Sequence, residues 1–276
     1  MKRHHTTTGM LVLAAIFAAG LLVNTSSAAS AEKDDIAKLQ QAVKVLRCRL
    51  DHLVRQQDSD PTLEGTTRGI LPGAYDMLGL EPPEEATVLI GPDTGLSKWK
   101  RQGGGDAGWI FKDGVAQVKP GTGSIITKEP YEDFRLHLEF KIPEDAEGQH
   151  SGNSGVYIQQ RYEVQILNSH GREAKAGDCG GLYRYKAPNV NAARPPGEWQ
   201  SYDIVFREPE WDDEGNKVED VHITVVHNGE LIHYDVELPN KTGQGDPEAP
   251  DPRPLRLQDH GSPVQFRNVW IQKLDL

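Results

Sequence analysis

The stretch DFRLHLEFKIP, residues 133–143, alternates between apolar and polar side chains along its length. The apolar set is Phe134, Leu136, Leu138, Phe140 and Ile142, and the polar set is Arg135, His137, Glu139 and Lys141. Successive side chains of a β-strand point to opposite faces of its sheet, so this pattern predicts a strand with one face on a hydrophobic core. We therefore expect β-strands to build the fold around it.

Three further stretches repeat this alternation: YDIVF at 202–206, VHITVVHNGELIHYDVEL at 221–238 and VQFRNVWIQKL at 264–274. Within the second, Asn228-Gly229 is a strong signal for a tight hairpin turn. No long amphipathic helical pattern occurs after residue 60. The roughly 190 residues from 87 to 276 therefore predict an all-β domain, a β-sandwich or jelly roll with a single core.

Residues 1–31 predict a secretory signal peptide. Lys2 and Arg3 precede an apolar run from Met10 to Val23, and small residues end it at Ala29-Ser30-Ala31. A basic start, a short apolar centre and a small-x-small site form the pattern of a cleaved signal. Because the apolar run is short for a bilayer, we expect export and no membrane attachment after cleavage, with an uncleaved anchor as the alternative.

Residues 32–56 carry a heptad pattern. Ile36, Leu39, Val43, Leu46, Leu50 and Leu53 follow one another at alternating spacings of three and four residues. This a/d spacing predicts a coiled-coil helix that joins chains into a homo-oligomer through residues 36–53. The e and g positions carry no complementary charge pairs, so a single helix packed on its own domain is the alternative.

Residues 57–86 shift in composition to Pro, Gly, Asp and Glu and end in LEPPEEA. This composition predicts a linker, or an extended segment that lies on the following domain. The chain thus divides into a signal peptide at 1–31, a helix at 32–56, a linker at 57–86 and a β-domain at 87–276.

The charge of the chain argues against nucleic acid as a partner. Loss of Lys2 and Arg3 with the signal leaves 28 basic and 41 acidic side chains, a net charge of −13. Such a surface repels phosphate backbones and anionic membranes unless it carries a basic patch, and none is evident. Cys48 and Cys179 are too few for a disulfide framework, and after export they either pair or stay as incidental thiols.

The stretch NSGVYIQQRYEVQILNSHG, residues 153–171, predicts two short strands with a tight connection. Directly paired residues of an antiparallel ladder lie on one face, and a two-residue connection would place a carboxylate on the core face. We therefore expect a three-residue connection at 160–162, which pairs Gln159 with Glu163 and Tyr157 with Gln165. The core-facing residues are then Val156, Ile158, Val164 and Ile166.

The opposite face of this hairpin gathers Tyr157, Gln159, Glu163 and Gln165. An aromatic ring beside amides and a carboxylate suits a carbohydrate, whose C–H faces stack on rings and whose hydroxyls pair with polar groups. Arg161 at the hairpin tip is expected to bind a hydroxyl or an enolate, or else to be an exposed turn residue. A merely solvated polar face is the alternative for the whole patch.

Six motifs, in their order along the chain, resemble the 3-keto-disaccharide hydrolase domain family of exported bacterial proteins. They are DFRLHLEFK, the hairpin stretch above, GDCGGLY, RPPGEWQSYDIVF, HNGELI and PLRLQDHGSPVQFRNVWIQKL, and VLIGPDTGLSKWK resembles the usual start of the family. The resemblance covers residues 87–276. It implies a concanavalin-like jelly roll, and activity on glycosides whose C3 hydroxyl has been oxidised to a ketone.

Ordinary glycoside hydrolysis uses two carboxylates that flank the bond. Here the same-face neighbour of Glu163 is the amide Gln165, so a second carboxylate has to come from another strand, as Glu139 or Asp259. A 3-keto sugar relaxes this requirement, because the ketone acidifies the C2 proton and one base can expel the C1 substituent by elimination, after which water adds back. That route needs one general base, for which Glu163 is the candidate, and a group that holds the enolate oxygen.

The turn LQDHG, residues 257–261, supplies Gln258, Asp259 and His260 at a strand end. Strand alternation directs Gln258 and His260 the same way. An imidazole titrates near neutral pH, so His260 is expected as a catalytic acid or base with Asp259 beside it, and Gln258 as a substrate ligand. The alternative is that Asp259 and His260 only hold the turn through backbone hydrogen bonds.

Other side chains have weaker claims on a site. His137, His150 and His170 lie on polar faces, where histidines are usually solvated. Arg267 is expected in a structural ion pair, and Trp199 in the core rather than against a sugar.

No His-Glu-x-x-His, Cys-x-x-Cys or EF-hand motif occurs, which leaves the cofactor open, with a divalent metal as the one candidate. We expect an exported enzyme that cleaves 3-keto-glycosides. One alternative is a lectin-like module that binds glycans without cleaving them, which the amide at Gln165 favours. The other is a scaffold protein assembled by the coiled coil.

Overall fold

The computed structural model describes residues 77–146 and 151–276. Throughout these two ranges the regular secondary structure is β-strand, as the alternating sequence pattern predicts. No helix in the described ranges is long and apolar enough to cross a membrane. The expected signal peptide, the coiled-coil helix, Cys48, His150 and the linker up to residue 76 lie outside them.

The strands are β1 (Thr87–Ile90), β2 (Trp99–Arg101), β3 (Ile110–Lys112), β4 (Val115–Gln117), β5 (Ile125–Thr127), β6 (Phe134–Lys141), β7 (Ser154–Ile158), β8 (Tyr162–Ile166), β9 (Trp199–Arg207), β10 (Glu210–Trp211), β11 (Lys217–Glu219), β12 (Val221–His227), β13 (Glu230–Leu238), β14 (Arg256–Leu257) and β15 (Gln265–Lys273).

These strands form two large antiparallel sheets and one small ribbon. The first sheet has eight strands in the order β13-β12-β9-β6-β15-β4-β3, with β1 paired to β15. The second has five strands in the order β2-β5-β14-β7-β8, and β10 pairs with β11 in the ribbon. Both large sheets send apolar side chains into one hydrophobic core, so the architecture is sandwich-like.

Strand β6 shows how the sequence pattern becomes packing. Its apolar set, from Phe134 to Phe140, and the following Ile142 are at most 1% exposed and belong to this core. Its polar face is also covered, since His137 and Glu139 are both fully buried. His137 and Glu139, the middle of the polar set, are therefore part of the interior and not solvated as histidines on polar faces usually are, while Arg135 and Lys141 are half-buried.

Residues 77–80 provide part of that cover. Met77 and Leu80 are buried, the Gly79 amide donates to Glu139 Oε1 at 2.6 Å, and the Leu80 carbonyl accepts from the Trp270 indole at 3.2 Å. Residues 77–80 therefore lie on the eight-stranded sheet.

The predicted hairpin turn at Asn228-Gly229 is confirmed. Both residues have positive φ angles, 50° and 83°, and they connect β12 directly to β13. A two-residue turn with this backbone matches the right-handed twist of the flanking strands, and Asn and Gly adopt it readily. Cys179 is a buried free thiol in contact with the Tyr202 hydroxyl at 3.1 Å.

Candidate functional site

The hairpin of β7 and β8 places the candidate site, in a register that differs from the predicted one. Tyr157 pairs with Glu163, and Gly155 pairs with Gln165. The connection is Gln159–Arg161, one residue earlier than expected. The predicted pairing was wrong, but the predicted faces are right. The observed register differs from the predicted one by two residues, and a shift of two residues keeps every side chain on the same face of the sheet.

The physical reason lies in the turn. Gln159 and Gln160 both adopt left-handed backbone conformations, with φ angles of 49° and 59°. Glycine and asparagine are the residues that usually signal such a turn, and glutamine carries no such signal. Hydrophobic alternation therefore predicts which face each side chain occupies, but it does not predict the position of the turn.

Strand β14 completes the polar face beside this hairpin. Arg256 pairs with Tyr157 across the ladder, and its guanidinium carbon lies 3.5 Å from the centre of the Tyr157 ring. Gln258 follows on the same face, and its backbone amide donates to the Gly155 carbonyl at 3.0 Å. A cation, a phenol, an amide and the Glu163 carboxyl therefore share one face of the five-stranded sheet.

Glu163 occupies an unusual environment for a carboxylate. It is only 2% exposed, and burial raises its pKa to about 7, against the opposing effects of a hydrogen bond with Tyr157 and of the nearby Arg256 and Arg184 charges. A Cβ at Gly155 would lie 2.5 Å from Glu163 Oε1, so only glycine leaves room for this carboxyl. A carboxyl with this pKa can both accept and donate a proton near neutral pH.

Three polar atoms on this face are buried without a hydrogen-bond partner among the described residues: Glu163 Oε2, Arg256 Nε and Gln258 Oε1. Buried polar groups are nearly always paired in folded proteins, and each such exception calls for an explanation. An acceptor, a cationic donor and an amide oxygen left open together are what a polyhydroxylated ligand would satisfy. Arg256 was not predicted from the sequence.

Two predicted substrate ligands lie elsewhere. Gln159 is in the turn, where its amide donates to the Tyr131 carbonyl and to Glu208. Arg161 is 1% exposed, and its guanidinium binds the Pro247 and Asp251 carbonyls and the Asp251 carboxylate. Arg161 was expected to bind the substrate or else to be an exposed turn residue, and both expectations are corrected: it is buried and ties the hairpin to the loop at 247–251.

Gln165 stays on the predicted face but is already engaged. It is 3% exposed, and its side-chain oxygen accepts from the Ile166 amide at 3.0 Å. Its position opposite Gly155 puts it beside the Glu163 carboxyl along the strand. It therefore borders the site while its oxygen holds the local backbone.

Asp259 and His260 follow Gln258 in the chain, but the three residues do not form one catalytic group. The Asp259 carboxylate accepts from the Gly121 and Gly123 amides at 2.9 Å and from the Gly261 amide at 3.0 Å. Asp259 was expected as a catalytic partner of His260, but its carboxylate is engaged by three backbone amides and fixes the turn, which was the alternative. His260 is exposed.

The other carboxylate considered, Glu139, lies on the eight-stranded sheet. It binds Arg267 at 2.7 Å and Asn268 at 2.9 Å, so the structural ion pair expected for Arg267 is confirmed. Trp199 is half-buried and outside the core cluster, with the Arg267 and Lys141 cations over its ring, so the expectation of a core position was wrong. His170 is exposed and contacts the Ala193 carbonyl.

Within the described ranges, no group of three or more His, Cys, Asp or Glu residues is arranged to hold a metal ion.

Comparison with known proteins places this geometry in context. A family model described as the 3-keto-alpha-glucoside-1,2-lyase-like domain matches residues 85–272. A candidate glycosyl hydrolase from Parabacteroides distasonis has 33% identity and a TM-score of 0.66, over 76% of this chain and 95% of its own. A second candidate glycosyl hydrolase from that organism has 25% identity and a TM-score of 0.50, over 70% and 95%. No curated protein matches the chain.

Proposed function

The chain belongs to the 3-keto-alpha-glucoside-1,2-lyase-like domain family of carbohydrate-active proteins, and from this premise we propose that it cleaves 3-keto-glycosides with Glu163 as general base. The observation that carries the proposal is the Glu163 carboxyl, buried, with a pKa raised to about 7 and one oxygen without a partner among the described residues. The concanavalin-like jelly roll and export to the periplasm or the exterior belong to the same proposal.

The reaction needs a single base at the right position. A ketone at C3 acidifies the C2 proton, and the base removes it. The electron pair then expels the oxygen substituent from C1, which takes up a proton from solvent and leaves as an alcohol, and the sugar remains as an unsaturated ketone. Water added across the new double bond then completes a net hydrolysis. Glu163 in its ionised form takes the C2 proton through Oε2, and near pH 7 a large fraction of the molecules carries that form.

Arg256 is placed to stabilise the charge that develops. Removal of the C2 proton spreads negative charge onto the C3 oxygen, and a fixed cationic donor lowers the energy of that enolate most in a site that excludes water. Arg256 is 8% exposed, and its Nε has no partner among the described residues. The ring of Tyr157 beneath the guanidinium holds it in place by a cation–π contact.

Tyr157 and Gln258 complete the set. Burial, with Glu163 next to it, raises the pKa of the Tyr157 hydroxyl, so this hydroxyl stays protonated at neutral pH and can donate to the carboxylate or to the substrate. The open Gln258 Oε1 accepts from a sugar hydroxyl. In this arrangement Glu163 transfers the proton, Arg256 holds the oxyanion, and the amide orients the ring.

A lectin-like binding module is the second candidate, and Gln165 is the observation that favours it. The usual hydrolytic pair of carboxylates is missing from this face, since the position next to Glu163 holds an amide. A binding module would keep the affinity for sugar and lack turnover, so a kinetic assay separates the two.

The test uses one oxidised and one unoxidised disaccharide. Purified protein is mixed with 3-keto-trehalose or with trehalose, and release of 3-keto-glucose and glucose is followed by chromatography, with the unsaturated ketone detected by its ultraviolet absorbance. We expect products from 3-keto-trehalose alone. Cleavage of both sugars would reject the ketone-dependent route, and binding without cleavage of either would select the lectin-like module.

A further inference from the structure

Tyr183 begins the turn at 183–185, at the edge of β8 next to Glu163. Its amide donates to the Glu163 carbonyl at 3.0 Å, so its backbone runs alongside β8. The preceding Leu182 bridges to Val164 and is fully buried in the core. The Tyr183 ring lies against Gly243, and the hydroxyl of the neighbouring Thr242 accepts from the Glu163 amide at 2.7 Å, so the ring lies at the edge of β8 next to Glu163.

The ring of Tyr183 is held at both edges by glycines. A Cβ at Gly243 would overlap its Cδ1 atom, and a Cβ at Gly177 would lie 3.9 Å from its Cε2 atom. The side chain is half-buried. A half-buried tyrosine with packed ring edges is a rigid platform on which a ring-shaped ligand stacks at little cost in entropy.

The next residue, Arg184, places its guanidinium over one face of this ring. Its guanidinium carbon lies 5.2 Å from the centre of the Tyr183 ring, and the side chain is exposed. Its backbone has a φ angle of 62° and is fixed by a hydrogen bond from its amide to the Ala176 carbonyl at 3.1 Å. Left-handed backbone costs a non-glycine residue about 1–3 kcal/mol, so the surrounding structure imposes this position on Arg184.

The charge around Glu163 is opposite to that of the molecule as a whole. The chain has a net charge of −11, yet Arg184 and Arg256 both act on Glu163, and neither forms a salt bridge among the described residues. Arg256 has a role in the proposed function, on the β14 side of Glu163. Arg184 has none, and it lies on the far side of β8.

We propose that Tyr183 and Arg184 form the subsite for the leaving aglycone, with a ring of the aglycone on Tyr183 and an anionic substituent, such as a carboxylate, paired with Arg184. This inference rests on the proposed function, which places the 3-keto sugar over Arg256 and Gln258. With Glu163 at C2 and the scissile bond at the neighbouring C1, the departing group extends across β8 toward Tyr183. The preferred substrates are therefore 3-keto-glycosides with an acidic, ring-bearing aglycone.

The test measures binding, so it does not depend on turnover. The ligands are the unoxidised 4-carboxyphenyl and 4-carbamoylphenyl glucosides, in both anomers, which differ in charge at nearly constant shape. Calorimetry on the wild-type protein is expected to show about tenfold tighter binding of the carboxylate, as a charge-assisted hydrogen bond predicts. Arg184→Gln is expected to abolish this preference, and Arg184→Lys to retain part of it.

Two further variants separate the parts of the subsite. Tyr183→Ala should weaken both glucosides alike, by about tenfold as lost stacking, while Tyr183→Phe keeps the platform. Lys112→Gln removes one exposed positive charge from β3 of the other sheet, and it should leave the preference unchanged. Circular dichroism checks that each variant is folded.

A carboxylate preference that survives Arg184→Gln, or is absent from the wild-type protein, overturns the subsite. Turnover of 3-keto-trehalose, whose aglycone is neutral, tests the proposed function separately. Turnover without a carboxylate preference rejects only the subsite, and a preference without turnover rejects only the elimination.

Discussion

Glu139 and Glu163 are both buried glutamates, one on each of the two large sheets, and their surroundings are opposite. Glu139 accepts from the Gly79 amide, Asn268 and Arg267, and its neighbour His137 is buried with it. Burial would raise its pKa, but these partners outweigh burial and lower it to about 2. Glu163 has the Tyr157 hydroxyl and an oxygen without a partner among the described residues, and its pKa is raised to about 7.

The difference teaches that burial alone does not mark a functional carboxylate. At Glu139 the protein supplies enough donors to keep the group charged, which locks residues 77–80 onto the sheet. At Glu163 the protein supplies too few hydrogen-bond donors to the carboxyl, and a bound ligand would supply the rest. A perturbed pKa with open hydrogen-bonding capacity is the combination that points to chemistry.

The largest expected effect is on turnover by Glu163→Gln. Glutamine is nearly isosteric and still binds hydroxyls, but it cannot take the C2 proton, so kcat for 3-keto-trehalose should fall by about 10²–10⁴. The dissociation constant for the sugar should change little. The matched control is Glu237→Gln, an exposed site on β13, with wild-type kinetics. Full turnover by Glu163→Gln would move proton transfer to another group, and His260 would be the next to substitute.

Glu139→Gln should act on stability instead. It removes the carboxylate that Arg267 binds and one of the two near the buried His137, which keeps Asp203 at 3.1 Å. Because the Arg267 side chain is 38% exposed, we expect a loss of about 1–3 kcal/mol. Urea denaturation should show this loss, while kcat at a temperature where the variant is folded stays near wild type. A variant as stable as wild type would mean that the cluster contributes no net stability.

The two carboxyls also predict opposite dependences of stability on pH. The folded-state pKa of Glu163 is raised, so its contribution is full below about pH 4.5 and is lost as pH rises through 7. That of Glu139 is lowered, so its contribution is full above about pH 4.5 and is lost as pH falls toward 2. A pKa change of this size corresponds to about 3 kcal/mol at most.

Unfolding free energies of wild type and both variants between pH 2 and 8 test this. The advantage of Glu163→Gln over wild type should grow between pH 4.5 and 7, and the deficit of Glu139→Gln should shrink below pH 4.5. Parallel pH curves for the three proteins would show that neither carboxyl titrates as described.

The same two residues show what the sequence could and could not predict. Strict alternation predicted the core face of β6 and the faces of the β7–β8 hairpin, because burial repeats every second residue. It did not reveal that residues 77–80 cover Glu139, which depends on packing from a distant part of the chain. Nor did it reveal Arg256, since β14 has two residues and its partners β5 and β7 are remote in sequence.

The position of the hairpin turn was predicted wrongly for a local reason. Two registers of the hairpin differ by one residue per strand and present identical faces, so hydrophobicity cannot choose between them. The left-handed backbone of Gln159 and Gln160 sets the observed register. This register places Gln159 outside the patch and Arg161 in the interior. Tyr183 was missed because it lies in an irregular segment that only the fold brings beside β8.

The smallest effect is expected for Gln165→Glu, which places a second carboxylate two residues from Glu163. The two groups would lie about 7 Å apart on one strand face, a distance within the range of inverting glycosidases. Both would meet the sugar from the same side, however, and hydrolysis of an unoxidised glycoside needs carboxyls that flank the bond. We therefore expect no glucose from trehalose.

The added negative charge should raise the pKa of Glu163 further, so turnover of 3-keto-trehalose at pH 7 should fall by a few-fold and recover at higher pH. Release of glucose from trehalose by this variant would show that the second carboxylate alone separates this site from an ordinary glycosidase, and that the ketone is not what the site requires.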